Sequence, residues 1–360
     1  MSFDLFKLTR ENIQKLVPYS TARDEFKGTA KVYLDANENS LGSPLSKWYN
    51  RYPDPQQKLV KEKLAFIKSV STHQLLLGNG SDECIDLLYR CFCNPGLDNV
   101  IICPPTYGMY KVSADINNVA VRQAPLLDNF QLNIAHIESL VDANTKIIWL
   151  CSPNNPTGNA IDRIDIESIL NNFNGIVVVD EAYINFSRQQ SWVKSLADYP
   201  NLVVLQTLSK AWGLAALRIG ITIASVEIIA VLNTVKPPYN ISQPSQELAL
   251  KALDEVGQIK DMITELVDMR NALAEVFITM PTVEKVYPSD ANFLLIKIKD
   301  AAEVYKFMIE QGIVLRDRSN VQLLENCLRI TIGTEQENTI LVDAFASWYA
   351  LPKNNSGEEK

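Results

Sequence analysis

The sequence predicts an α/β protein: a mostly parallel central sheet with helices on both faces, joined to a smaller α+β domain. Three observations lead there. Between residues 100 and 224, short apolar runs alternate with stretches of helical period. The runs are continuous rather than in–out alternating, as expected of strands buried on both faces. After about residue 240 the texture changes to a long helical stretch followed by shorter strands. A repeat of strand, helix, strand implies parallel pairing through right-handed crossovers.

Along the chain, Val100-Ile101-Ile102-Cys103 reads as a strand and leads into a helical stretch from Tyr107. Residues 146–151 form the next strand, followed by a helix over 165–173. The run at 176–179 precedes a helix expected over 191–197. Residues 202–205 come next, then 218–224. Residues 245–280 read as one long helix or two joined helices, with Lys251, Asp254, Lys260, Asp261, Glu265, Asp268 and Arg270 along one side. Strands are expected at 283–287, 293–297, 314–316 and 328–332, with helices at 302–311 and 335–349 among them. The chain divides into an N-terminal arm and part of the small domain (1–40), a large α/β domain (41–240) and a small C-terminal α+β domain (241–352). A polar tail at 353–360 is expected to be disordered.

Composition narrows the function. The 360 residues carry 34 Lys+Arg against 42 Asp+Glu, a net charge of −8, with 47% hydrophobic residues. That is a globular composition, and its acidic balance argues against a nucleic-acid binder. No apolar run approaches the ~18 residues of a membrane span. Residues 1–10 lack the apolar core of a signal peptide. The six cysteines are irregularly spaced, with no CxxC pair, so no disulfide framework or zinc site is expected. With only two histidines, His73 and His136, no metal site is expected either. A cytoplasmic protein with reduced thiols is the expectation.

Glycine is scarce, 14 residues against roughly 25 at average usage. Several of these glycines lie in polar junctions after predicted strands, the edge where open α/β sheets bind ligands. Gly78-Asn79-Gly80-Ser81-Asp82-Glu83 opens a helical stretch and offers free N–H groups to an anion, or is simply a capped turn. In Pro104-Pro105-Thr106-Tyr107-Gly108, Tyr107 can stack on a planar ligand or pack in the core. Ser152-Pro153-Asn154-Asn155-Pro156-Thr157-Gly158 holds two amides in a stiff turn. Asp180 ends an apolar strand, costly for a carboxylate unless it is paired or hydrogen-bonded. Thr207-Leu208-Ser209-Lys210 places a lysine at a strand end, with Arg218 eight residues on; a desolvated lysine is a Schiff-base candidate. Together these groups describe a planar, phosphorylated ligand with a basic ring nitrogen and an aldehyde, which is pyridoxal 5′-phosphate (PLP).

At this point the sequence resembles the fold type I PLP-dependent aminotransferases, and among them the histidinol-phosphate aminotransferases. The resemblance rests on the junctions above together with Leu34-Asp35-Ala36-Asn37-Glu38-Asn39, Arg51-Tyr52-Pro53-Asp54-Pro55, Leu217-Arg218-Ile219-Gly220 and Leu328-Arg329-Ile330-Thr331. It spans about residues 19–334, with Trp212 and Ala216 standing where the family pattern has Phe and Gly. It implies that Lys210 carries the cofactor as a Schiff base and moves the substrate proton. It implies that Asp180 pairs with the pyridinium N–H, that Asn155 and Tyr183 bond the ring oxygen, and that Tyr107 stacks on the ring. Gly80, Ser81, Asp82, Thr207, Ser209 and Arg218 would surround the cofactor phosphate, with the backbone of Asp82 rather than its carboxylate facing the anion. Tyr52 would reach the cofactor of the other subunit, implying a homodimer with shared active sites. Arg329 would bind the carboxylate of glutamate or 2-oxoglutarate. Arg316 and Tyr19 would bind the phosphate of histidinol phosphate, and Asn37 would touch substrate. Arg318 is a further positive charge nearby, with no role assigned.

Other readings share this pattern: an aromatic amino-acid aminotransferase, a PLP-dependent decarboxylase of amino-acid phosphates, and a catalytically silent PLP-fold binding protein.

Overall fold

The protein is described from a computed structural model that covers residues 3–18, 31–45, 47 and 49–351. Short helices α1 (Leu5–Leu8) and α2 (Glu11–Gln14) come first, then α3 (Lys58–Lys68). The central series is β1 (Leu75–Asn79), α4 (Gly80–Phe92), β2 (Asn99–Ile102), α5 (Met109–Ile116), β3 (Ala120–Gln123), α6 (Ile134–Leu140), β4 (Thr145–Cys151), α7 (Arg163–Asn172), β5 (Ile176–Asp180), β6 (Leu202–Thr207) and β7 (Ile219–Ala224). Helices α8 (Val226–Val235), α9 (Gln243–Ala252) and α10 (Val256–Ile278) lead to β8 (Val283–Val286), β9 (Phe293–Ile298), α11 (Ala301–Glu310), β10 (Arg316–Asp317), β11 (Cys327–Thr331) and α12 (Glu335–Ala350).

Seven strands form one sheet in the order β1-β7-β6-β5-β4-β2-β3. β3, β2, β4, β5 and β6 pair in parallel, and β7 runs antiparallel to both β6 and β1. Continuous apolar strands make sense here because successive side chains serve opposite faces. On β5, Val177 and Val179 enter one core with Ile148, Leu150, Leu202 and Val204, while Ile176 and Val178 enter another with Ile147, Trp149, Val203 and Leu205.

The second sheet is antiparallel, in the order β10-β11-β9-β8. Leu294, Ile296, Leu328 and Ile330 turn to a third core with Phe277, Met308 and Phe345. Leu295 turns the other way and joins the first core. Arg329 is its partner across the ladder. By the same alternation, Arg329 leaves the small core and faces the large sheet.

The structure departs from the sequence reading in several places, and it adds β1 and the helices α3, α6 and α8, which that reading did not list. Residues 191–197 form no α-helix, only a 3₁₀ turn at Trp192–Ser195. Pro200 follows closely and disfavours helix at the residue before it. Strand β3 is absent from the sequence reading; it is a short, partly exposed edge strand with a polar second half. The small-domain strand expected at 314–316 is instead the two-residue β10, one step further on. The stretch 245–280 resolves into two helices, α9 and α10. No helix among the described residues is long and apolar enough to cross a membrane.

Candidate active site

The C-terminal ends of β1, β4, β5 and β6 share one sheet edge. Because β7 runs the opposite way, its beginning, Arg218, comes to that same edge. The loops there enclose a cavity of about 510 Å³. Ser81, Asp82, Tyr107 and Asn155 line it, with Asp180, Tyr183, Thr207, Ser209, Lys210 and Arg218. From the small sheet come Arg316, Arg318 and Arg329.

Local hydrogen bonds explain how each group is aimed. Helix α4 begins at Gly80, so the first-turn N–H groups of Ser81 and Asp82 have no partner within the helix. The N–H of Gly80 itself is taken by the Arg218 carbonyl at 2.8 Å. Its contribution is steric: φ is +75°, and a Cβ there would stand 2.5 Å from Arg218 Nη2. Arg218 also holds a left-handed backbone, φ +54°, uncommon for a non-glycine residue. The Thr207 hydroxyl donates to the Ile219 carbonyl and accepts from Ser209 N–H, which shapes the turn carrying Ser209 and Lys210. Asn154 staples two loops through Pro105 O, Thr157 Oγ1 and Thr106 Oγ1. Its neighbour Asn155 faces the cavity and accepts from Arg329 Nη1 at 2.5 Å.

Asp180 is 3% exposed. Its Oδ1 accepts from Ala182 N–H at 3.0 Å and its Oδ2 from the Tyr110 hydroxyl at 2.7 Å. Burial pushes its pKa up, while the Tyr110 and Ala182 donors and the Lys210 charge oppose that shift. Lys210 makes no hydrogen bond or ion pair with the described residues; its Nζ lies 5.8 Å from the centroid of the Tyr183 ring. Desolvation, then the Arg329 and Arg218 guanidiniums, hold its pKa below the ordinary 10.5. The Asp82 carboxylate accepts from Tyr107 Oη at 3.0 Å and lies 3.4 Å from Arg218 Nη2. It is therefore engaged with those two side chains, leaving its backbone N–H at the helix end.

Arg316, Arg318 and Arg329 form no ion pair with a described carboxylate. Asp317, next to Arg316 in the chain, accepts from Ser319 N–H at 2.8 Å, and its charge bears on Arg318. The buried Nε atoms of Arg318 and Arg329 have no acceptor. Burial and mutual repulsion lower the pKa of both. Three arginines gathered on one side of the cavity without an ion-paired carboxylate suit a polyanionic ligand. The whole donor set fits a planar phosphorylated ligand with a basic ring nitrogen: an anion cradle, a flanking tyrosine, a buried carboxylate and a free amine.

Not every residue expected at the site is brought there. Asn37 and Tyr52 line a second cavity with Glu38, Tyr49, Arg51 and Tyr239. Tyr52 is half exposed and stacks on Tyr239 at 4.4 Å. Tyr19 lies outside the described residues, as do residues 353–360. Sequence reasoning missed Tyr110 and left Arg318 without a place.

Comparison with known proteins adds the following. The family model for aminotransferase class I and II matches residues 26–345. The chain is 53% identical to the histidinol-phosphate aminotransferase of Flavobacterium psychrophilum, over 95% of this chain and 98% of that one. It is 50% identical to the histidinol-phosphate aminotransferase of Cytophaga hutchinsonii, over 97% and 100%. Among solved structures, the histidinol-phosphate aminotransferase of Sinorhizobium meliloti in complex with pyridoxal-5′-phosphate shares the fold. Its TM-score is 0.77 at 22% identity, over 87% of this chain and 90% of that one.

Proposed function

The chain belongs to the class I and II aminotransferases, and we propose that it moves the amino group of L-histidinol phosphate to 2-oxoglutarate. The products are imidazole acetol phosphate and L-glutamate, and the reaction serves histidine biosynthesis. The cofactor is pyridoxal 5′-phosphate. One observation carries this reading: a free lysine amine, a buried aspartate and three unneutralised arginines face the same cavity.

When bound, PLP supplies an electron sink for the bond broken at the substrate carbon. Lys210 would hold the cofactor and, with the substrate amine in its place, its Nζ would carry the proton between that substrate carbon and the aldehyde carbon of the cofactor. Its depressed pKa keeps more of the amine neutral, the form that acts as base and nucleophile. Asp180 holds the proton on the ring nitrogen. Arg329 occupies the Asn155 carbonyl oxygen, so the Asn155 amide NH₂ is left to donate to the ring oxygen beside Tyr183. Tyr107 flanks the ring. The N–H groups of Ser81 and Asp82, the Ser209 hydroxyl and Arg218 hold the cofactor phosphate. Gly80 and Thr207 shape that cradle. Arg329 clamps the α-carboxylate of glutamate or 2-oxoglutarate, and Arg316, with Tyr19, takes the phosphate of histidinol phosphate.

In this reading the working unit is a homodimer. Tyr52 serves the partner's cofactor, with Asn37 in the same cavity as Tyr52; that this cavity shares no lining residue with the Lys210 cavity supports this. The division into a large domain (41–240) and a small one (241–352) is supported by the two sheets, which lie within 75–224 and 283–331. A cytoplasmic setting is supported by six buried, unpaired cysteines. The test is product analysis with PLP-loaded protein and histidinol phosphate. Glutamate should form in step with the keto phosphate, and only when 2-oxoglutarate is present. Release of CO₂ from an amino-acid phosphate, with no amino transfer, would replace this reading with the decarboxylase.

A further inference from the structure

Tyr110 does not line the cavity. It stands behind Asp180, on α5, with no exposed surface. Its ring is locked in an aromatic column: it stacks on Trp149 at 4.9 Å and 15°, and Trp149 stacks on Tyr89 at 5.4 Å and 26°. The Tyr89 hydroxyl donates to the Tyr110 carbonyl at 2.7 Å, and Tyr107 meets the ring edge-on at 5.6 Å. Held this way, the Tyr110 hydroxyl has no path to water, and its hydrogen goes to Asp180 Oδ2 at 2.7 Å. A phenylalanine would fill the same column without a polar atom to bury. The hydroxyl therefore matters for the carboxylate rather than for packing.

We propose that Tyr110 is a positioning residue of the transamination: its hydroxyl fixes the Asp180 carboxylate and keeps it ionised, so that the ring proton stays on the cofactor nitrogen. This rests on reading the cavity as the PLP site. The titratable and charged groups around Asp180 are Tyr110, Cys151, Cys84, Tyr107, Tyr183, Asp82 and Lys210. Of these, Tyr110 donates a hydrogen bond to the carboxylate. Without it, burial and the Asp82 charge act against fewer opposing groups, and the Asp180 oxygen becomes the stronger base. It then draws the proton from the ring nitrogen. The ring loses its positive charge, which weakens it as an electron sink and makes the Lys210 linkage easier to protonate.

The experiment uses the full-length PLP-loaded protein and Tyr110→Phe. Three quantities are read: PLP bound per chain, the pH midpoint of the visible absorbance of the bound cofactor, and kcat and KM for histidinol phosphate. The expected result is unchanged PLP content, a midpoint moved to higher pH, unchanged KM, and kcat lower by about 10–100-fold, the range for one hydrogen bond to a charged group. An unmoved midpoint overturns the proposal, whether or not kcat falls, because a purely structural role would not touch the ring proton. Should the phenylalanine variant fail to fold, 3-fluorotyrosine placed at position 110 decides. It keeps the shape and donates more strongly, so the midpoint must fall, and an unchanged midpoint overturns the proposal. Wild-type protein that takes up no colour from PLP refutes the cofactor reading as well. A coloured wild type beside an indistinguishable Tyr110→Phe refutes the Tyr110 inference alone.

Discussion

Asp180 and Lys210 stand at the ends of apolar strands, where a charged side chain gives up hydration that packing does not return. That misfit made both legible in the sequence. Tyr110 was not legible, because a tyrosine on the apolar side of a helix reads as core until its hydroxyl is seen to meet a carboxylate. Two predictions belong at this scale. Lys210→Ala should fold and still bind PLP through its phosphate and ring contacts. Its transamination rate should drop by orders of magnitude, because covalent attachment and proton transfer are lost together; steady-state assay of the purified variant checks this, and near-normal turnover would falsify the assignment. The second concerns pH. The Lys210 pKa is lowered, so the neutral amine gains population as pH rises and does so earlier than in a free lysine. Covalent capture of added PLP by the apoprotein should speed up with pH and level off below 10.5, the ordinary lysine value, as followed by stopped-flow absorbance. A plateau at or above that value would remove the proposed effect of desolvation and of the neighbouring arginines on Lys210.

At the scale of elements, the buried strands were legible because apolar runs without alternation have few other uses. What escaped was what packing alone decides: the polar edge strand β3, the single turn in place of a helix at 192–195, and the two-residue β10. The junctions were legible as loops but not in their division of labour. Asn154 and Asn155 are identical side chains on adjacent residues, and only the fold makes one a staple and the other a cavity group. The glycines allow a paired test. At Gly220, on β7, an added Cβ would collide with the backbone of Gly80 and Ser81, where the cradle begins. Gly220→Ala should destabilise the protein by about 1–3 kcal/mol, the range for overpacking, and weaken PLP binding. Gly257, in α10, has open space around it and no positive φ. Gly257→Ala should stabilise by about 0.4–1 kcal/mol. Denaturant unfolding of the two variants measures both, and equal effects would show that the cradle does not depend on that close approach.

At the scale of the whole molecule, the proposed sharing of sites between subunits turns on the second cavity. Glu38, its side chain 2% exposed, accepts from Arg51 Nη1 and from Tyr52 N–H, and so ties the arm to the segment that carries Tyr52. Nothing in composition or periodicity points across a subunit boundary; that expectation came from resemblance alone. Mixing Tyr52→Phe subunits with Lys210→Ala subunits should restore part of the lost activity, since one site of each mixed dimer then holds both intact residues. Activity equal to the sum of the two homodimers, with subunit exchange demonstrated, counts against shared sites. The identity of the amino donor is the central claim, and Arg316 tests it most directly. Histidinol phosphate has no carboxylate, so its phosphate must do the anchoring, and Arg316 faces the cavity without an acidic partner. Charge-assisted hydrogen bonds are worth roughly 1.5–3 kcal/mol each, so the loss of one amounts to about 10–100-fold in rate. The decisive measurement is kcat/KM for histidinol phosphate, histidinol and phenylalanine in wild type and Arg316→Ala. The account predicts that wild type prefers histidinol phosphate by at least that factor, and that Arg316→Ala erases most of the preference while affecting phenylalanine far less. A wild type that prefers phenylalanine, or an Arg316→Ala that weakens all donors equally, contradicts it and makes the protein an aromatic amino-acid aminotransferase.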